Sequence, residues 1–258
     1  MIRDILPPPV AAEEAFGAGP GGPLFPEEEQ VIARAVPKRR REFATARGCA
    51  RTALGRLGVP PAPILPGLRG APQWPPGIVG SITHCAGYVA AAVARDSDVV
   101  TIGLDAEPHD RLPDGVLGAI ALPQEQVRVA ELAAARPGVC WDRVLFCVKE
   151  TVYKAWFPLT QRWLGFEEAC VDLDPDGQSF TARLLVDGPA VDGRVLAGFT
   201  GRFLVSQGLI VTSIVIERTP ARRLSPRRPP AANSAPGRST EVFAQLNAHQ
   251  FRGNARRR

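Results

Sequence analysis

Between residues 40 and 60 the apolar positions Phe43, Ala46, Ala50, Leu54 and Leu57 recur every three or four residues, the spacing of one helix face. The pattern predicts helix over 27–58, divided at Pro37 and stopped by Gly58 and the two prolines after it. Residues 59–77 hold seven prolines and read as a shaped loop. Three short apolar, partly β-branched runs then predict strands at 78–83, 88–94 and 99–105. Helical spacing returns over 123–136 and 141–157, with Pro158 expected to end the second helix. Four further strand-like runs lie at 169–173, 179–186, 198–205 and 209–216. Each half thus reads as helix followed by short strands. This predicts an α+β fold of two similar halves, 27–110 and 111–218, although no sequence identity between them is evident. Residues 1–26, rich in Pro and Gly, read as an irregular lead-in. Residues 219–258 read as an Arg/Pro-rich disordered tail with one short helix at 240–251.

The 258 residues are 45% hydrophobic and 22% charged, ordinary for a soluble globular protein. The longest uncharged, largely apolar run, 86–94, is far shorter than the ~20 residues of a membrane span. The opening MIRDILPPPV lacks the apolar core of a signal peptide. Five cysteines without a C-x-x-C indicate neither a disulfide framework nor a structural zinc site. A cytoplasmic protein without a membrane partner is expected. The net charge of +5 changes meaning when divided, because residues 219–258 carry nine arginines against Glu241. That segment holds +8, which leaves −3 for residues 1–218 and removes the compositional argument for nucleic-acid binding by the folded body. Only three of the 31 basic residues are lysine: Lys38, Lys149 and Lys154. Two of these fall within K-E-T-V-Y-K, where a compact ammonium is used in a chain that otherwise writes arginine.

Four constellations could carry chemistry. In I-G-L-D-A-E-P-H, Asp105 and Glu107 sit at i and i+2 at the end of a predicted strand, so their carboxylates share a face. Two adjacent like charges favour a cation between them, and hard oxygen ligands suit Mg²⁺; the ordinary alternative is a solvated turn. His109 reads as a surface histidine more than as a further ligand. On the second helix Glu150 and Lys154 are i, i+4 neighbours. Either they form a surface ion pair, or Glu150 is a general base or third metal ligand with Lys149 and Lys154 contacting phosphate. In G-S-I-T-H-C, Ser81, Thr83 and His84 could hold a phosphate or simply form a turn. Arg39, Arg40, Arg41, Arg47 and Arg51 give the first helix a basic face suited to polyphosphate, and Arg69 adds a cation on the loop.

Each motif is weak alone, but their order is distinctive: a basic helix with K-R-R-x-E-F, then G-V-P-P-A-P-I-L, T-H-C-A-G-Y, D-A-E-P-H-D and F-C-V-K-E-T-V-Y-K-A-W-F-P-L-T. Over residues 27–217 this resembles the 4′-phosphopantetheinyl transferases of the Sfp/EntD type, with the character of their actinobacterial members. The resemblance implies a pseudo-two-fold pair of α+β subdomains with coenzyme A in the cleft between them. It implies transfer of phosphopantetheine to a serine of apo-acyl or peptidyl carrier proteins of fatty acid, polyketide or non-ribosomal peptide synthases, with release of 3′,5′-ADP. Asp105, Glu107 and Glu150 would hold Mg²⁺, with Mn²⁺ also possible, and Glu150 would alternatively serve as base. Lys149 and Lys154 would be catalytic and contact phosphate. Arg39, Arg47, Arg69, Thr83 and His84 would complete the coenzyme A site. A monomer is expected. The runner-up is a degenerate binding protein for coenzyme A or carrier protein, against which the presence of all three acids and both lysines stands. Three departures from the family pattern are Phe146 in place of Trp, Thr151 in place of Ala, and Pro66 in place of Lys.

Overall fold

The computed structural model describes residues 1–17 and 21–218. The tail expected to be disordered, with its helix at 240–251, lies outside the described residues. The described residues form ten strands and five α-helices, an α+β arrangement of two helix-on-sheet layers.

The first layer is a three-stranded antiparallel sheet covered by a helix. Its strands are β1 (Ala11–Phe16), β2 (Ile78–Cys85) and β3 (Tyr88–Arg95), in the order β1-β3-β2. Short helix α1 (Pro26–Val31) precedes α2 (Pro37–Arg56), which packs on this sheet. The division at Pro37 agrees with the expectation, since proline is well placed at a first helical position. The central strand β3 explains its own composition. Val89, Ala91 and Val93 face α2, while Tyr88, Ala90, Ala92 and Ala94 face a second core cluster, so both faces are buried.

The expected irregular lead-in at 1–26 is corrected. Ile2–Ile5 forms a 3-10 turn with Ile2 and Ile5 buried, and β1 pairs with β3 along its whole length. The run A-A-E-E-A-F has little β-branched content, so its strand comes from tertiary pairing rather than propensity.

The second layer is a five-stranded antiparallel sheet in the order β4-β10-β9-β6-β5. Its strands are β4 (Val99–Pro108), β5 (Ala169–Asp174), β6 (Ser179–Leu184), β9 (Gly198–Ser206) and β10 (Leu209–Glu217). A two-residue ribbon, β7 (Ala190–Val191) with β8 (Arg194–Val195), lies between β6 and β9. Helices α3 (Val116–Ile120), α4 (Pro123–Ala135) and α5 (Trp141–Thr160) connect β4 to β5. Strand β4, assigned by sequence to the first half, hydrogen-bonds to β10 of the second.

Helix α5 crosses β4 closely enough that Gly103 has no room for a side chain. A Cβ there would stand 2.3 Å from the Thr151 carbonyl oxygen and 2.9 Å from Ala155 Cβ. Thr101 Oγ1 also donates to the Ala155 carbonyl, 3.0 Å. Thr151, one of the departures from the family pattern, is fully buried and hydrogen-bonded to Thr212 on β10, whose hydroxyl donates to the Cys147 carbonyl. The helix outruns its expected end: Pro158 lies inside it, and Gln161 N–H caps it on the Phe157 carbonyl at 2.8 Å with φ +54°. Among the described residues no helix is long and apolar enough to cross a membrane.

Candidate active site

Because β4 alternates, Asp105 and Glu107 project to the same side near its end. Asp105 is 5% exposed. Its Oδ1 accepts from Lys154 Nζ at 2.7 Å and from Thr83 Oγ1 at 3.2 Å, which joins α5 and β2 across β4. Its Oδ2 is buried and has no partner among the described residues. A carboxyl group with one oxygen paired and the other buried and bare is a costly arrangement that an added cation would relieve.

Glu107 Oε2 accepts from Arg143 Nη1 at 3.0 Å. Arg143 stands in the first turn of α5 and also donates from Nε and Nη2 to the carbonyls of Asp110 and Arg111, each at 3.0 Å. No sequence motif singles out Arg143; its spacing from Glu150 and Lys154 is the signal that could have found it. At 3.6 residues per turn, positions 143, 150 and 154 fall on one stripe of the helix within about 40°.

Burial raises the Glu150 carboxyl above its ordinary value, the Asp105 carboxylate adds to the effect, and Lys154 opposes it. Burial likewise raises Glu107, reinforced by Asp105 and countered by Arg143. Burial works against the Lys154 ammonium, but Asp105 and Glu150 outweigh it, so its pKa is raised and the cation persists. Electrostatically the three acids and two cations form one coupled group. They are not gathered into a closed ligand cage: among the described residues no three His, Cys, Asp or Glu side chains converge as a metal set. An incomplete set of hard oxygen donors is nevertheless the kind Mg²⁺ uses, with substrate phosphates and water filling its shell.

Two of the group, Glu150 and Lys154, line a cavity of about 410 Å³ together with Tyr153 of α5 and Gly80, Ser81 and Ile82 of β2. Arg69 also lines it. It sits at the tip of a narrow turn closed by the Gly67 N–H to Ala71 carbonyl bond at 2.7 Å and by pairing of Pro66 with Pro72. Pro66 is thus part of a rigid turn that presents Arg69, in left-handed conformation at φ +54°, over the ring of Trp163. A second cavity of about 400 Å³ shares Arg69, Glu150 and Tyr153, and continues past Trp163 and Leu164 to Phe166. Phe146, where the family pattern has Trp, packs against Phe166 with ring centroids 6.2 Å apart.

On the other side of β2, His84 Nε2 is 2.8 Å from Arg39 Nη1 and 3.9 Å from Glu42 Oε2. Burial lowers the His84 pKa, and the neighbouring guanidinium lowers it further. Thr83 and His84 are adjacent on a strand and so face opposite sides, Thr83 to Asp105 and His84 to the basic helix.

Two expected site residues are placed elsewhere. Lys149 is 3% exposed, donates to the carbonyls of Phe166 (2.7 Å) and Ala169 (2.9 Å), and pairs with Glu125 at 2.8 Å. The reason is helical geometry: residues 149 and 154 lie about 140° apart around α5, so both ammoniums cannot reach one acid cluster. Arg47 is buried, donates to the Ile64 carbonyl at 2.8 Å and stacks on Phe43. Burial lowers its pKa to about 10. It fixes the proline-rich loop rather than opening toward the cavity. His109 accepts the Cys140 backbone N–H at 3.0 Å, so it caps the start of α5 instead of joining the acids.

Two family models match the chain. One is the 4′-phosphopantetheinyl transferase N-terminal domain, over residues 27–94, and the other is the 4′-phosphopantetheinyl transferase superfamily, over 101–195. The chain is 57% identical over 219 residues to the 4′-phosphopantetheinyl transferase Svp of Streptomyces mobaraensis, a match covering 84% of this chain and 89% of that protein. It is 50% identical over 225 residues to PptT of Mycobacterium tuberculosis, covering 84% and 98% respectively. With Npt of Nocardia iowensis the identity is 48% over 222 residues, covering 83% and 99%.

Proposed function

Since this chain belongs to the 4′-phosphopantetheinyl transferase superfamily, we propose that it transfers 4′-phosphopantetheine from coenzyme A to a serine hydroxyl of apo-acyl and peptidyl carrier proteins. The observation that carries the residue assignment is the half-satisfied Asp105, held by Lys154 and Thr83 beside Glu107 and Glu150 at the edge of a cavity.

In the reaction the serine oxygen attacks the phosphorus that bears pantetheine. A new P–O bond forms to serine, the P–O bond to the nucleotide breaks, and 3′,5′-ADP leaves with that electron pair. Glu150 receives the serine proton; its raised pKa suits it to the task, because a base closer to the working pH accepts a proton more readily. Lys154 neutralises charge growing on the departing phosphate, and its bond to Asp105 fixes the ammonium in place beforehand. Asp105 and Glu107 would hold Mg²⁺ or Mn²⁺ with Glu150 nearby; the ion would supply charge neutralisation at the diphosphate. Arg39 and His84 bind the 3′-phosphate end of coenzyme A, and Arg69, which lines the cavity, contacts the same substrate. Thr83 acts through Asp105 as a positioning residue.

We further propose that the protein works in the cytoplasm as a monomer. The test is intact-mass analysis of apo-carrier proteins incubated with the protein, coenzyme A and Mg²⁺. Carrier molecules gain one phosphopantetheine each, and chelation of the divalent ion stops the gain. A protein that binds coenzyme A but leaves every carrier unmodified is the degenerate binder instead.

A further inference from the structure

Helix α5 runs antiparallel to β4, with Lys154 on Asp105 and Arg143 on Glu107. The two cations are eleven residues apart, about three helical turns, and therefore share a face. Each commits one oxygen of one acid. The Arg143 side chain is only 16% exposed, and its two further bonds, to the Asp110 and Arg111 carbonyls, anchor it independently of Glu107.

We propose that Arg143 is a built-in counter-cation that keeps the Asp105–Glu107 pair from holding a divalent ion until the diphosphate of coenzyme A arrives. The inference rests on the assignment of Asp105 and Glu107 as the metal acids. Three carboxylates, Asp105, Glu107 and Glu150, face two fixed cations, which leaves a single net negative charge. That is a poor exchange for the hydration shell of Mg²⁺, an ion that dehydrates reluctantly. The diphosphate adds the missing negative charge and oxygen ligands. By linkage, metal and coenzyme A then tighten each other by the same factor. Arg143 acts through Glu107 and touches neither substrate, so it is a positioning residue.

Binding of Mn²⁺ to the full chain, followed by the electron paramagnetic resonance signal of the free ion, tests this directly. Titrations at pH 8 run with and without coenzyme A, against a blank for Mn²⁺ held by coenzyme A in solution. The wild-type protein binds Mn²⁺ at least tenfold more tightly with coenzyme A present. Arg143→Gln removes one positive charge, so Mn²⁺ affinity without coenzyme A rises about tenfold, equivalent to about 1.4 kcal/mol, and the coupling shrinks. Arg143→Lys keeps the charge and loses the three-way fork; its affinity without coenzyme A stays within about twofold of wild type. Arg143→Gln binding Mn²⁺ no more tightly than wild type overturns the proposal, as does Arg143→Lys tightening as much as Arg143→Gln. Wild-type protein that holds no Mn²⁺ even with coenzyme A overturns the metal assignment itself, and the proposal with it.

Discussion

In the first half Pro26 opens α1, and the buried carboxylate of Glu28 accepts the backbone N–H groups of Phe25 (3.0 Å) and Ile64 (2.9 Å) and the guanidinium of Arg51 on α2 (2.9 Å). In the second half Pro123 opens α4, and the buried carboxylate of Glu125 accepts the N–H groups of Leu122 and Val171, both at 2.7 Å, and the ammonium of Lys149 on α5 (2.8 Å). The two halves therefore pin a short helix, a long helix and a later segment with the same carboxylate device. They part just beyond the pinned cation. Thr52 and Arg56 come one and five residues after Arg51, and Arg56 bonds the Ala12 carbonyl and Glu13 to hold β1. The corresponding positions after Lys149 are Glu150 and Lys154, which face the cavity and Asp105. One framework serves structure in the first half and, on the proposed assignment, chemistry in the second. It also separates the two lysines of α5, one used as a pin and the other free to act.

Breaking a pin gives the largest expected effect. Glu28→Leu and Glu125→Leu each leave a buried cation without its partner and lower unfolding stability by about 3–5 kcal/mol. Denaturant titration of each variant checks this; a loss below about 1 kcal/mol in either half would show that its carboxylate is dispensable.

The lysines sharpen the contrast. Lys154→Arg keeps charge but changes shape, and lowers kcat tenfold or more, about 1.4 kcal/mol of barrier, at unchanged Tm. Lys149→Arg disturbs the buried bonds to Glu125 and to the Phe166 and Ala169 carbonyls, so its main effect is a lower Tm, with kcat per folded molecule within about threefold of wild type. Reversed outcomes for the two positions would exchange their roles.

A smaller effect concerns pH. Burial raises Glu150 in the folded state, so folding favours its protonated form and this contribution is lost as pH rises through the folded-state pKa. Glu150→Gln therefore raises the Tm of the metal-free protein by a few degrees at pH 8 while stopping transfer. The Tm difference closes as pH falls toward the ordinary glutamate value of 4.5. In the wild type, the acid limb of the transfer rate lies above that value. An acid limb at or below 4.5 would remove Glu150 from the role of base.

Much of the fold was legible because it is written in local patterns. The seven longer strands from residue 78 onward and both long helices follow hydrophobic period, and the i, i+2 acids of β4 and the i, i+4 pair of α5 follow from the same geometry; the two-residue strands β7 and β8 do not. The features that escaped depend on partners distant in sequence. Strand β1 exists because β3 offers it an edge, and Lys149 is a pin because Glu125 lies 24 residues earlier on another helix. The signal for the pins was present as F-P-E-E at 25–28 and L-P-Q-E at 122–125: an apolar residue, a helix-opening proline and a glutamate two residues later. It reads as two ordinary helix starts until the shared three-way bonding of the glutamates is seen. Arg143 escaped because arginine is common in this chain, and only its position on the Glu150–Lys154 stripe distinguishes it.

If the proposed transferase site is centred on Asp105, that carboxylate is indispensable to transfer. Asp105→Ala tests this most directly, by intact mass of an apo-carrier protein incubated with coenzyme A and Mg²⁺, alongside the melting temperature of the variant. Holo-carrier then appears at least a hundredfold more slowly, in a protein that still melts cooperatively near the wild-type temperature. Holo-carrier formed at near wild-type rate by the folded variant would contradict it.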